Sequence, residues 1–164
     1  RLGTLELLLT RPITTLELVL GKFLGALALL LLALLPTLVY VYAIDQLGNP
    51  QGNYDLGILA GSYLGLLFLA TAYCAIGVFA STLSENQIVA FLIAVFISFL
   101  FYYGFNGIAE TLNIDFLRSL SLQRHFESIG RGVLDSRDLI YFLSVTSVFI
   151  ALTVFKLESK SVKG

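Results

Sequence analysis

Charge is what this chain has least of. Only 13% of its 164 residues are Asp, Glu, Lys or Arg, 57% are apolar, and the mean hydropathy is +0.89. A soluble domain carries about 25% charged and about 45–50% apolar residues, so the deficit alone places the chain in the membrane class. The formal net charge of −1 leaves no basic surface for nucleic acid. A single cysteine, Cys74, excludes an internal disulfide and a multi-cysteine metal site. Sitting in an uncharged run, it reads as a small buried hydrophobe. His125 is the only histidine, and "HFE" has neither metal-ligand nor triad spacing, so a packing or capping role outweighs a catalytic one. There is no methionine, and the chain starts at Arg1. It is expected to be a piece of a longer protein, with no signal peptide visible.

Two further absences narrow the function. No GxxxxGK[ST] phosphate loop occurs, so the chain does not hydrolyse ATP by that device. The long apolar runs contain no ionisable side chain, whereas ion-coupled carriers place such groups inside the membrane. An autonomous pump is therefore disfavoured, and any energy has to come from another subunit. With no acid, base or nucleophile constellation in view, the expectation is no catalytic, metal or cofactor-binding residue in this chain.

What is present is long uncharged sequence. Lys22 and Asp45 bracket 22 such residues, Asp55 and Glu85 bracket 29, Glu85 and Glu110 bracket 24, and Asp138 and Lys156 bracket 17. About 20 residues at 1.5 Å rise cross a hydrocarbon core of roughly 30 Å. Continuous apolar runs that must satisfy their backbone in lipid are helices. The expected fold is all-α, a polytopic membrane helix bundle with four spans over 15–43, 56–80, 85–108 and 139–157. Four spans put both ends on one side. Six cations (Arg1, Arg11, Lys22, Lys156, Lys160 and Lys163) fall there, against Arg118, Arg124, Arg131 and Arg137 opposite, a weak vote for cytoplasmic ends.

Between the spans, "DQLGNPQGNYD" reads as a turn-rich outer loop. Ser84 and Gln87 have capping-box spacing. The 110–137 segment carries Phe116, Leu117, Leu120, Leu122, Phe126 and Ile129 among its charges, so short helices packed on the outer end fit better than a solvated loop. Within the spans, Gly57, Gly61 and Gly65, like Gly21 and Gly25, recur every fourth residue and let helices approach closely. Packing inside one bundle is favoured over a dimer seam. Pro36 should interrupt the first span.

The first segment is the most structured piece of punctuation. Thr4 can cap a helix with Glu6 in its first turn, placing Leu2, Leu5, Leu8 and Leu9 on one face and Glu6 with Thr10 on another. Pro12 breaks it. "TTLE" at Thr14–Glu17 then forms a capping box, with Ile13 and Leu18 placed as its staple. Two readings remain open on this pattern: an interfacial lead-in, or a handle on which Glu6, Thr10 and Arg11 engage a partner.

The run "GTLELLLTRPITTLELVLGKFLG" resembles the segment between the second and third spans of ABC-2 type transporter permeases. "HFESIGRGVLDSRDLIYFLS" is similar to the outer segment leading into the last span of the same family, and the likeness extends over nearly the whole chain. Within the family it looks most like the gliding-motility-associated permeases of Bacteroidetes. The resemblance implies a six-span exporter subunit in the bacterial inner membrane, paired with a second permease subunit. It also implies nucleotide-binding ATPase subunits that carry the ATP, so no cofactor belongs to this chain. Residues 3–12 would be the coupling helix, with Leu5, Glu6, Leu8, Thr10, Arg11 and Pro12 receiving the ATPase stroke. The segment around His125, Gly132 and Asp138 would be the re-entrant outer helices that gate the translocation path. On this resemblance the family's first two spans are expected to lie outside these residues. A non-transport membrane scaffold or assembly factor is the competing expectation, with a membrane enzyme a distant third.

Overall fold

In the computed structural model, residues 13–50, 52 and 54–161 are described, and every regular element among them is helical. The expected surface helix over 3–12 lies outside the described residues, with Leu5, Glu6, Leu8, Thr10, Arg11 and Pro12 in it.

Helix α1 (Thr15–Leu34) starts as the "TTLE" spacing predicts. Thr14 Oγ1 accepts from the Glu17 amide at 3.3 Å, and the Glu17 carboxylate accepts from the Thr14 amide at 2.9 Å. At Pro36 the chain tightens into a 3₁₀ turn (Leu35–Thr37) before α2 (Leu38–Leu47) continues the same span. Proline offers no amide hydrogen, and its ring crowds the preceding turn. Thr37 mends part of the break by donating its hydroxyl to the Leu34 carbonyl at 2.6 Å. That uses the only hydroxyl hydrogen of Thr37, so the 2.9 Å contact with Tyr63 is donated by the tyrosine. The break in the first span thus becomes its polar link to the second.

The second span is one helix, α3 (Leu56–Leu83), capped by Asp55, whose Oδ1 accepts from Gly57 and Ile58 amides at 2.7 and 3.2 Å. The third is composite: α4 (Gln87–Phe99), a π-helical turn (Leu100–Gly104) and α5 (Phe105–Leu112). Its start corrects an expectation. Ser84 does not form a capping box with Gln87; Asn86 caps the helix, its Oδ1 accepting from the Ile88 amide at 2.9 Å. Ser84 Oγ instead accepts from the Asn86 amide at 3.1 Å. Asn86 adjoins the first helical residue, where a short side-chain oxygen reaches the second free amide. After two short helices, α6 (Asp115–Arg118) and α7 (Leu122–Gly130), the last span is α8 (Ser136–Ser161). It begins three residues before the expected 139, because Asp135 Oδ1 accepts from the Arg137 amide at 2.9 Å.

Four helical stretches are long and apolar enough to cross a membrane: Thr15–Leu47, Leu56–Leu83, Gln87–Leu112 and Ser136–Ser159. They differ in what surrounds them. In α3, 44% of the apolar window is buried, against 22% for the last span, 11% for the first and 6% for the third. So α3 is the hub, and the first and third spans present leucine and phenylalanine outward, as lipid-facing helices do. Two clusters fill the bundle along α3. One joins Phe23, Cys74, Ala75, Ile76 and Phe149. The other, nearer the end where α3 and α8 begin, joins Leu69, Ala72, Leu122, Ile129 and Phe142.

Replacing Tyr63 with Phe removes the one hydroxyl that donates to Thr37 while keeping the ring. Interhelical hydrogen bonds in membranes contribute about 0.6 kcal/mol on average, with a maximum of about 1.7. Tyr63→Phe should therefore lower the unfolding free energy of the full-length protein in detergent by a similar amount. An unchanged unfolding midpoint would deny the link.

Candidate functional site

The end of the bundle where α3 and α8 begin is closed by residues 113–135, a crown made of α6, α7 and their connections. The chain turns into it at Asn113, the left-handed residue (φ +53) that ends α5. Leu122 and Ile129 on α7 are fully buried, packing on Leu69, Ala72 and Phe142. This short amphipathic helix lays its apolar face across the hub.

Glycine sets how close it lies. A Cβ added at Gly61 would run into the Ile129 carbonyl oxygen and stand 2.9 Å from Gly132 Cα. One at Gly65 would press on the Phe126 ring at 3.2 Å. Gly132, at φ +81, occupies backbone space that side chains rarely adopt, and a Cβ there would meet Gly57 C and O at 3.1 Å. Backbone therefore rests on backbone between α3 and the end of α7. Of the glycines singled out from sequence, Gly57, Gly61, Gly65 and Gly132 are brought together. A Cβ added at Gly21 or Gly25 would meet nothing within 4 Å, and both lie elsewhere, on α1.

Polar side chains stitch the crown to the other spans. Ser121, wholly buried, donates to the Tyr102 carbonyl at 2.9 Å, inside the π turn of the third span. Such a turn shifts the ladder, the Phe105 amide bonding Leu100 O five residues back. Tyr141 on α8 donates to the Leu120 carbonyl. His125 sits 2.6 Å from Asp138 through Nδ1 and 2.9 Å from the Ser119 carbonyl through Nε2. Its ring stacks on Tyr141, centroids 3.9 Å apart. Both ring nitrogens thus lie within hydrogen-bond distance of an oxygen. Asp138 is only 5% exposed, and its Oδ2 has no partner among the described residues. With the Asp138 carboxylate on Nδ1 and a backbone carbonyl on Nε2, this histidine is placed to hold two segments together, with neither nitrogen on a hydroxyl.

His125 and Asp138 were each singled out from sequence, but not as partners. They stand thirteen residues apart across the crown, a spacing no linear motif marks. Ser121, Tyr141 and the π turn were missed altogether. The available signal was a serine flanked by two leucines, which reads as ordinary packing.

A family model described as ABC-2 family transporter protein matches residues 2–161. The chain belongs to that family. Comparison with curated proteins returns no match, and comparison with solved structures returns none. Family and helices together make this a multi-pass membrane protein and a permease component of an ABC transporter. Permeases of this kind are transport components rather than catalysts, and they typically work with an ATPase subunit.

Because the crown rests on bare backbone at Gly61, a branched side chain there must lift it. Overpacking costs about 1–3 kcal/mol. Gly61→Val should speed tryptic cleavage at Arg124 and Arg131 in the folded full-length protein by roughly fivefold or more. Gly107→Val is the control, since nothing lies within 4 Å of that site. Equal cleavage of the two variants would refute the close contact.

Proposed function

We propose that this chain forms the translocation path of an ATP-driven ABC-2 exporter in the bacterial inner membrane, linked to gliding motility. Both ends face the cytoplasm, and residues 3–12 act as the coupling helix. The observation that carries this reading is the family match across residues 2–161, which includes the opening segment. The capping box at Thr14 and Glu17 supports it further, because it starts a fresh helix directly behind Pro12. A foot ahead of that break can tilt as a separate lever and still push on the first span. Leu5 and Leu8 would hold it to the lipid surface, and Glu6, Thr10 and Arg11 would meet the ATPase. A second permease copy or homologue completes the path. With residues 3–12 on the cytoplasmic side, the crown would face outward, and His125, Gly132 and Asp138 would belong to the outer gate. The likeness to gliding-motility permeases of Bacteroidetes supports the motility link.

The test is made in the full-length protein. A nucleotide-binding subunit should co-purify stoichiometrically in mild detergent, and its absence would favour a non-transport scaffold. Reversing Glu6 or Arg11 should leave folding intact. It should also cut the ATP-dependent change in protease sensitivity of the crown by about tenfold, the effect of an interfacial charge pair of about 1.4 kcal/mol. Undiminished coupling in both reversals would exclude residues 3–12 as the point of entry.

A further inference from the structure

The crown holds charges that the His125–Asp138 pair does not absorb. Arg124 on α7, Arg131 just after it and Arg137 in the first turn of α8 line a single pocket of about 330 Å³, together with Ser119, Ser128, Asp135 and the buried pair. None of the three guanidinium groups has a hydrogen-bond or ion-pair partner among the described residues. The contrast is Arg118, which pairs with Asp115 at 3.8 Å and does not line this pocket. Three cations therefore face two carboxylates, and one of these, Asp138, is occupied by His125. The pocket is left with unmatched positive charge.

Its position says which anion. Arg137 lies in the first turn of a helix that is long and apolar enough to span a membrane, so the pocket sits at headgroup depth. Between Arg131 and Arg137 the chain exposes Val133 and Leu134, 61% and 59% accessible. Within the first turns of α8, Ile140 and Leu143 are equally bare, at 62% and 60%. Arginine forks match phosphate oxygens in pairs, and apolar side chains beside them suit acyl chains. A soluble anion would make no use of those four side chains.

We propose that this pocket binds the phosphate of an anionic phospholipid from the leaflet in which α8 begins. Arg124, Arg131 and Arg137 grip the phosphate, Ser128 supplies a hydroxyl, and Val133 with Leu134 rests among the upper acyl carbons. The bound lipid would anchor the crown to the leaflet at the junction of α7 and α8. This assignment depends on the span at α8 and not on how residues 3–12 are used.

The experiment titrates the full-length protein in detergent, reading bound ligand by native mass spectrometry. The probes are phosphatidylglycerol, diacylglycerol with the same chains, and inorganic phosphate. The combined variant Arg124→Gln, Arg131→Gln, Arg137→Gln should bind phosphatidylglycerol about tenfold more weakly or worse. Its diacylglycerol binding should be unchanged. Arg118→Gln should match the parent. Each single Arg→Gln change, at a guanidinium with no hydrogen bond or ion pair to lose among the described residues, should weaken phosphatidylglycerol binding by roughly twofold or more, which covers a triple variant that fails to fold. Phosphatidylglycerol affinity that survives all of these changes overturns the proposal. So does inorganic phosphate that binds through the same arginines as tightly as the lipid, since the site would then serve a free anion.

Discussion

Backbone carbonyls that leave a helix at the edge of a bilayer must find a donor. Where packing keeps water away, an orphaned carbonyl costs free energy comparable to a lost hydrogen bond. Three such carbonyls hold the crown in place. Ser119 O, Leu120 O and Tyr102 O accept from His125, Tyr141 and Ser121 respectively. The Tyr141 and Ser121 bonds join distant parts of the chain, whereas the His125 bond closes within the crown. The tie from Tyr141 to Leu120 fixes the crown to the last span, and that from Ser121 to Tyr102 fixes it to the third. The glycine contact at Gly61 and Gly132 fixes it to the second. Satisfying three carbonyls and seating one backbone on another thus makes a segment of short helices and turns part of the bundle.

This mode of attachment is specific about what can move together. The second, third and fourth spans share the crown, and the upper cluster around Phe142 is continuous with its buried Leu122 and Ile129. The first span joins elsewhere. Its buried Phe23 packs in the other cluster, and its polar link is Thr37 to Tyr63 at the proline break. Pro36 lies between them, so the half of the span that carries Phe23 and the half beyond Thr37 are separate levers on one helix axis.

Much of the fold was legible in the sequence because lipid leaves the backbone few options. Uncharged runs of sufficient length had to be helices, and the "TTLE" box marked where the first begins. Local capping misled at Ser84, where a nearer Asn86 competes for the same amides, and the charge boundary misled at 139, because Asp135 starts the helix ahead of the charged Arg137 and Asp138. The site was less legible for a different reason. Gly57, Gly61 and Gly65 announce a smooth helix face, but nothing in their spacing names its occupant. Their partner is the backbone around Ile129 and Gly132, which carries no side-chain signature of contact. Likewise the solitary histidine and the aspartate of the last span's first turn are unremarkable alone. They meet only because α7 folds back over α3, a consequence of tertiary packing.

The same packing explains why a buried His–Asp pair belongs at this edge rather than in a span. A charged pair in the hydrocarbon core is costly unless every donor and acceptor is met. At the crown, His125 meets two oxygens and a stacked ring, and only Asp138 Oδ2 is left without a partner. Removing one member alone would leave buried polar atoms of the other without a partner. The pair therefore contributes registry more than strength: it lets α7 seat on α8 in one arrangement, with Tyr141 against the imidazole and its hydroxyl on Leu120. A hydrophobic pair could fill the same space, but it would permit the short helix to slide along the hub. The glycine contact, where every ångström of slide brings atoms into collision, sets the second coordinate. Together the two contacts leave the crown a single position on the bundle.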